Sequence, residues 1–351
     1  QFMPEGIIGH MQFSLITDPA EWQSLEVEWQ ALVAQTHRPL PFLEYWYQST
    51  WWQTLGGGEW SHESSQLQLI IARQDGQLVG IAPLFFSEKP GNPPALRFIG
   101  QIEVSDYLDF LCPLSDLQPF IVGLLDFIKV EPGLLSRDLD LANFQDDSPS
   151  LSILRELYEQ KGVQYTSEVL QPSPFIPMMP DWEEYLASIS KKQRHEIRRK
   201  MRNADAHYLT DWYVVTAEHN VQEEIQAFID MMRTDPSKVA FLTPEMESFL
   251  SQTTARALEV GQLFLSYLTF DGGRAAAYLS FLAGNKLWVY NSAWDPTYSC
   301  CSPGWVLLAK VINWAIENGL TEVDMMRGDE VYKYRFGGID RHVVSFTTSL
   351  N

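Results

Sequence analysis

The chain repeats one pattern of apolar runs, and this repeat most constrains its fold. Residues 67–84 read LQLIIARQDGQLVGIAPL, and residues 263–282 read LFLSYLTFDGGRAAAYLSFL. Each is a pair of β-rich runs around an Asp-Gly turn, at Asp75 and at Asp271, which is the strongest short-range signal of a β-hairpin. The two aspartates lie 196 positions apart (75 and 271). A period this long predicts duplicated domains and argues against a solenoid of short repeats.

The segments that follow the two hairpins also correspond. After the first come LRFIG, SDYLDFL, an apolar helix-like stretch at 117–128 and the run DLDLANF; after the second come KLWVYNSAW, DPTYS, a helix at about 304–318 and EVDMM. We therefore predict an α/β fold made of two tandem halves. Each half is expected to hold a mixed, mostly antiparallel sheet flanked by helices.

Four prolines mark the boundary between the halves, in QPSPFIPMMPD at 171–181, because proline interrupts regular elements. We predict an N-terminal half at 11–175 and a C-terminal half at 176–351, with 1–10 a remnant of expression outside the fold. Asp181 is expected to cap a helix that runs to about residue 205.

The charge and the cysteines exclude several classes of function. The net charge of −20 over 351 residues argues against DNA and anionic membrane surfaces as partners, since these bind through Lys and Arg. No apolar run is long enough to span a membrane and no signal peptide is visible, so we expect a soluble, cytoplasmic protein. Three cysteines, of which Cys300 and Cys301 are adjacent, and the absence of paired histidines predict no metal site.

The segment from residue 286 to residue 326 predicts an anion-binding loop. A strand at about 287–293 leads to Ser302-Pro303-Gly304, where Ser302 is the expected N-cap and Pro303 the first residue of a helix that Asn318-Gly319 ends. A second strand follows at 322–326. Unpaired amides and the positive end of the helix dipole would attract a pyrophosphate there. The same spacing also fits an ordinary capped helix, and no nucleotide-binding glycine motif is present.

The stretches NSAWDPTY, SPGWVLLAKVINWAIENGL and EVDMMRGDEVYKYRFG, with SISKKQRHEIRRKMRN, DGQLVGIAPL and SDYLDFL in order, resemble GNAT-superfamily acetyltransferases of the BioF2-like or CelD/BcsL-like type. The resemblance covers most of the chain after residue 40, including FLEYWYQSTWWQTLG. It implies a tandem GNAT fold shared with the Fem-type aminoacyltransferases. It also implies acyl-CoA as co-substrate.

The resemblance implies roles for residues of the C-terminal half. The amides of Asn291, Ser292 and Ala293 would face the thioester, and a loop containing Ser299, Ser302 and Gly304, with Arg327 nearby, would bind CoA. This loop reads SCCSPG in place of the usual glycine-rich pattern. Tyr332 would protonate the departing thiolate, and Asp324 or Asp329 would accept the proton of the amine. Alternatively, Arg327, Asp329 and Lys333 form an ion-pair network that fixes the loop.

Seven cations and one acid at 191–202 give this segment a charge of +6, which leaves −26 for the rest of the chain. Lys191, Arg194, Arg198 and Arg202 are expected to share one helix face. They would bind the CoA 3′-phosphate or an anionic acceptor; equally, they could form a solvated face.

The acceptor is expected to be an amine, and Asp295, Lys333 and the N-terminal residue Asp106 are candidate contacts for it. Asp106, Tyr107 and Asp109 correspond to the position of Asp295 and would line an acceptor cleft, or simply end a strand. We predict direct N-acyl transfer, acetyl or longer, from acyl-CoA to a small molecule, sugar or peptide. The alternatives are a Fem-like transfer from charged tRNA, which the acidity disfavours, and an inactive GNAT-fold binding module.

Overall fold

A computed structural model describes residues 11–60 and 64–348 of the chain, so the predicted expression remnant at 1–10 lies outside the described residues. The chain divides into two compact units. Unit 1 comprises Gln1–Leu170 and Val343–Asn351, and unit 2 comprises Gln171–His342. The last strand therefore belongs to the first unit, although the sequence gives no sign that the chain returns there.

Unit 1 combines five helices with short strands. Its helices are α1 Pro19–Ser24, α2 Glu26–Val33, α3 Tyr45–Leu55, α4 Leu114–Val130 and α5 Pro149–Lys161. Its strands are β1 Gln12–Ile16, β2 Gln66–Leu67, β3 Leu69–Gln74, β4 Gln77–Ala82, β5 Leu84–Lys89, β6 Asn92–Phe98, β7 Asp140–Gln145, β8 Tyr165–Thr166, β9 Val169–Pro172 (which runs across the boundary) and the C-terminal β16 His342–Thr348.

These strands form three small sheets, where the sequence analysis expected one. Their orders are β1-β3-β4, β2-β5-β6 and β7-β16-β8, with β9 also on β16. The hairpin at Asp75-Gly76 joins β3 and β4 as predicted, with both turn residues at positive φ. Pro83 separates β4 from β5, and a proline cannot donate to the ladder, which is consistent with the division of the sheet at this point.

Unit 2 is built on one sheet. Its helices are α6 Trp182–Ser188, α7 Lys191–His207, α8 Val221–Met232, α9 Pro236–Val239, α10 Pro244–Glu259, α11 Pro303–Glu317 and α12 Val331–Arg335, with a 3₁₀ helix at Pro296–Cys301. Its strands are β10 Phe175–Pro177, β11 Thr210–Val214, β12 Leu263–Phe270, β13 Gly273–Ala283, β14 Lys286–Trp294 and β15 Glu322–Asp324. The order is β10-β15-β14-β13-β12-β11, and every pair is antiparallel except β14 with β15.

The core of unit 2 forms where α11 packs on this sheet. Val306, Leu307 and Val311 are buried, and the ring of Trp314 lies 4.4 Å from that of Phe264 on β12. The apolar spacing of this helix was visible in the sequence. Its end is also as predicted, with Asn318 as C-cap and Gly319 at φ 68°.

The predicted helix at 182–205 is two helices. The Asp181 side chain accepts from the Glu184 amide at 2.8 Å, as expected, but Ile189 is extended and Ser190 caps a new helix by accepting from the Gln193 amide. A serine at an N-cap competes with the helical backbone before it. As a result, the whole basic segment lies on α7. No helix within residues 11–60 and 64–348 is both long and apolar enough to cross a membrane.

Candidate active site

The central parallel strands of unit 2 separate shortly after they meet. β14 pairs with β15 at Lys286, Leu287 and Trp288, and β14 then continues to Trp294, beyond the end of β15. On its other side, β14 carries an extra residue: Leu279 of β13 faces Asn291, whereas Ser280 faces Val289. Such a bulge bends a strand and increases its twist, and the bend explains why a gap opens between β14 and β15.

The direction of the backbone groups along β14 shows which amides face this gap. The Asp295 amide donates to the Ala275 carbonyl of β13 at 2.9 Å. Because successive residues of an antiparallel pair alternate in direction, the amide of Ala293 also faces β13, and those of Ser292 and Trp294 face the gap. The Ser292 amide donates to Oδ1 of Asn291 at 2.9 Å. Of the three amides that the sequence analysis named, only that of Ser292 therefore faces the gap.

A cavity of about 370 Å³ lies between the gap and the start of α11; we call it the cradle cavity. Its lining residues are Lys200, Tyr278, Ser292, Ala293, Trp294, Ser299, Ser302, Pro303, Gly304, Trp305, Leu308 and Tyr332. A Cβ added to Gly304 would meet no atom within 4 Å, so this glycine leaves the helix N-terminus open to the cavity. The predicted loop residues Ser299, Ser302 and Gly304 are thus brought together at one site.

Ser302 occupies the N-cap position but does not cap α11. It adopts the left-handed conformation, with φ 50°, and its side chain accepts no helix amide. Its hydroxyl instead accepts from Nζ of Lys200 at 3.0 Å, and the same ammonium lies 4.2 Å from the centre of the Trp305 ring. Burial lowers the pKa of Lys200. This lysine of α7 is a cavity residue that the sequence analysis did not assign to the site.

A second cavity, of about 420 Å³, lies beside α9; we call it the α9 cavity. Its lining residues are Met231, Met232, Thr234, Asp235, Pro236, Lys238, Ser292, Ala293, Trp294, Pro296, Glu330 and Tyr332. The two cavities share the end of β14, from Ser292 to Trp294, and the side chain of Tyr332. A molecule in one cavity would therefore meet a molecule in the other at this point.

Tyr332 lies on α12 at the junction of the two cavities. Burial and the charge of Glu330 raise the pKa of its hydroxyl well above the usual value, so the phenol stays protonated at neutral pH. The Tyr332 hydroxyl makes no hydrogen bond to the protein within the described part of the chain. A protonated phenol with a free hydroxyl can serve as a general acid.

The carboxylates predicted for this site lie elsewhere. Asp324 is fully buried on β15, where its Oδ1 accepts from the Met326 amide at 2.8 Å, and Asp329 is exposed. Neither is among the residues that line the cradle cavity or the α9 cavity, whereas Glu330 and Asp235 both line the α9 cavity. A Cβ on Gly328, at φ 112°, would lie 2.4 Å from the Glu330 carboxylate, so glycine there lets this side chain pack close to the backbone.

Lys333, predicted to contact the substrate, is buried and bonded to the loop before it, so the predicted contact stays untested. Its side chain is 3% exposed, its Nζ donates to the carbonyls of Met326, Arg327 and Gly328, and it pairs with Glu330 at 2.8 Å. The alternative of an ion-pair network that fixes this loop is closer to the structure, with Glu330 in the place of Asp329. Arg327, predicted to contact CoA, lines neither cavity.

Lys238 of α9 reaches the separated part of β14 from the α9 cavity. Its Nζ donates to the Ser292 carbonyl and, at 3.1 Å, to Oδ1 of Asn291. Burial lowers the pKa of this ammonium, which the charges of Asp235 and Glu330 partly offset. The sequence offered no signal for Lys238, because α9 has only four residues and a composition typical of a turn.

The predicted basic face does not border the cradle cavity. Arg198 pairs with Glu183 of α6 at 2.6 Å, Lys191 is exposed, and Arg194 makes only a long hydrogen bond to the Leu186 carbonyl. Residues at i, i+4 spacing share a helix face, and the face that contains Lys200 is the one with Lys192 and Glu196. Of the cations in this segment, the cavity lining includes Lys200, and a binding role for Lys191, Arg194 and Arg198 stays a prediction.

The remaining candidate site residues are buried or make local hydrogen bonds. Asp295 caps the 3₁₀ helix by accepting from the Thr297 amide at 2.9 Å. In unit 1, Asp106 is half-buried and Tyr107 fully buried. Asp109 is buried and accepts from Ser148 Oγ at 2.6 Å, and burial raises the pKa of its carboxyl. An acceptor role for these unit 1 residues stays a prediction.

Separated parallel strands beside a helix N-terminus are the arrangement that the resemblance to GNAT acyltransferases implies. Residues 191–334 match the family model described as an acetyltransferase (GNAT) domain. Within unit 2, this segment is therefore similar to GNAT acetyltransferase domains. The α/β fold and its likeness to a Fem-type protein, both inferred from the sequence, are confirmed.

Solved structures share the fold at low identity. The crystal structure of FemX gives a TM-score of 0.66 with 13% identity, covering 97% of this chain and 98% of that chain. A conserved protein of unknown function from Bacteroides thetaiotaomicron gives a TM-score of 0.59 with 10% identity. The match covers 97% of this chain and 100% of that chain. L-PGS from Bacillus licheniformis gives a TM-score of 0.50 with 11% identity, and the match covers 78% of this chain and 82% of that chain. At these identities the likeness concerns the fold alone, and no match was found among the curated proteins.

Proposed function

We propose that this protein is an N-acyltransferase that moves an acyl group, acetyl or longer, from acyl-CoA to an amine. The observation that carries the proposal is the meeting of two cavities at Ser292–Trp294 and Tyr332. A transfer between two bound molecules needs both reactive atoms at one point, and the gap beside β14 supplies that point.

The cradle cavity suits the thioester donor. The open N-terminus of α11 at Gly304, the hydroxyls of Ser299 and Ser302 and the ammonium of Lys200 offer donors to a phosphate. From there a pantetheine arm would lie along the gap-facing side of β14. Its thioester carbonyl would then meet the Trp294 amide, and also the Ser292 amide if the carbonyl replaces Oδ1 of Asn291 as its acceptor. Amides directed at a developing oxyanion are a large catalytic contribution.

The α9 cavity suits the amine. The neutral nitrogen attacks the thioester carbonyl, the C–N bond forms, and the C–S bond then breaks. Tyr332 gives its proton to the departing sulfur, and Glu330 or Asp235 takes the proton of the amine directly or through water. The acceptor carboxylates thus differ from those expected in the sequence analysis, while Tyr332 keeps its expected role.

The test is to incubate the protein with a panel of acyl-CoA donors and amine acceptors and to identify products by mass spectrometry. Thermal melting with CoA, acetyl-CoA and charged tRNA, each added alone, shows which donor binds, because a ligand of the folded state raises the melting temperature. We expect stabilisation by acyl-CoA and an N-acylated product. Transfer from charged tRNA alone would support the Fem-like alternative, and indifference to all donors would support a binding module.

A further inference from the structure

Lys200, the half-buried cation that lines the cradle cavity, has exposed cations near it on two helices of unit 2. Lys192, Arg199 and Lys200 lie on the cavity side of α7, and Arg335 of α12 is close enough to lower the pKa of Lys200 through its charge. We call these four residues the cationic rim. Glu196 pairs with Arg199 at 2.8 Å and lies 3.8 Å from Lys200, so the rim with Glu196 keeps a charge of +3.

The cavity itself is equipped for one phosphate. Lys200 is the sole cation in its lining within the described part of the chain, and its ammonium is held by Ser302 and Trp305. One charge-assisted contact matches the single phosphodiester of a phosphopantetheine arm. The further phosphates of CoA find no cation inside the cavity.

The rim extends further than a nucleotide phosphate requires. From Lys192 to Lys200 the helix advances about 12 Å at 1.5 Å per residue, and the Arg199 side chain is 63% exposed. The basic segment at 191–202 carries +6, whereas the rest of the chain carries −26. A partner with an acidic patch of helix size could dock on this surface, whereas a long polyanion such as RNA would also meet the acidic remainder.

We propose that the cationic rim docks an acidic carrier protein, which presents the acyl group as a thioester on a phosphopantetheine arm. The inference rests on the proposed function, in that the same cavity holds the thioester and CoA acts as its smaller analogue. The amine displaces the arm at the acyl carbon, one N–C bond replaces one S–C bond, and the thiol leaves on the carrier.

The experiment compares one acyl group on three thioesters: an acidic acyl carrier protein, CoA, and pantetheine without phosphate. We expect kcat/KM to be at least about tenfold higher for the carrier than for CoA. The double variant Lys192→Gln with Arg199→Gln is expected to lower kcat/KM for the carrier thioester about tenfold. For the pantetheine thioester, kcat/KM should stay within about twofold. The matched control is Lys129→Gln on α4, because Lys129 is also an exposed cation (59%) in an i,i+3 ion pair, with Asp126. It is expected to change neither rate.

Rising salt should lower the carrier rate and spare the pantetheine rate, because exposed charges are screened. The inference is overturned if CoA serves as well as the carrier, or if the double variant slows all three thioesters alike while its melting temperature is normal. If no thioester serves as a donor, the proposed function itself is contradicted. Transfer from aminoacyl-tRNA alone would show that the cationic rim binds RNA. It would reject both the carrier-protein inference and the proposed function.

Discussion

At the scale of single residues, the proposed function assigns the general acid to Tyr332, which lines both cavities. Its removal would leave the thiolate without a proton donor and leave the phosphate contacts intact. We expect Tyr332→Phe to lower kcat about 10²-fold or more with little change in donor affinity, as measured by steady-state kinetics and by binding of CoA. The control is Tyr334→Phe on the same helix, whose hydroxyl donates to Asp340 at 2.7 Å. Equal activity of Tyr332→Phe would move the acid role to another group.

Lys238 holds the separated part of β14 through the Ser292 carbonyl and Oδ1 of Asn291. Without its ammonium, the carbonyl would lack a donor at the reaction centre and the local backbone would lose its anchor. We expect Lys238→Met to lower kcat about tenfold while KM for the thioester changes little. Lys310→Met, a half-buried lysine on α11, is the control. A loss confined to thermal stability would show that Lys238 only supports the fold.

Residues close together in the sequence could be assigned to the site, and residues distant in it could not. Ser302, Gly304 and Tyr332 follow from the helix start and from the resemblance of the segment after it. Lys200 lies 102 positions from Ser302, and Lys238 and Asp235 come from α9 and its cap. Only the fold brings such side chains together, so no local pattern marks them.

At the scale of elements, the N-terminus of α11 forms the wall of the cradle cavity, and Gly304 keeps it open. A Cβ added there meets no protein atom within 4 Å, so a larger side chain would extend into the cavity. We therefore expect Gly304→Leu to raise KM for the thioester at least about tenfold and to leave the melting temperature unchanged or higher, since leucine favours a helix more than glycine does. Unchanged KM with a normal fold would place the donor elsewhere.

The elements themselves were largely predictable. Both Asp-Gly turns and α11 follow from turn chemistry and apolar spacing, because these signals are local. The break at Ser190 was missed, since the basic residues after it continue a helical composition. The extra residue at Tyr290, which accounts for the gap, depends on pairing between β13 and β14 and so has no signature in β14 alone.

At the scale of the whole molecule, unit 2 buries several tyrosines that hold their protons. Burial raises the pKa of Tyr185, Tyr267, Tyr278 and Tyr332 above the usual value near 10. The folded state then retains protons that the unfolded chain releases, so the free energy of unfolding should fall as pH rises above about 10. Urea denaturation from pH 8 to pH 11, with tyrosinate absorbance at each pH, measures this. Ionisation of all tyrosines without any loss of stability would contradict the burial.

The central claim is that a thioester lies in the gap between β14 and β15. It is tested most directly by a crystal structure with a non-hydrolysable acyl-CoA thioether. We expect the acyl oxygen within hydrogen-bond distance of the Ser292 or Trp294 amide, the sulfur beside the Tyr332 hydroxyl and the phosphates at Gly304 and Lys200. A ligand bound outside the cradle cavity, or strands that close over the gap, would contradict the account.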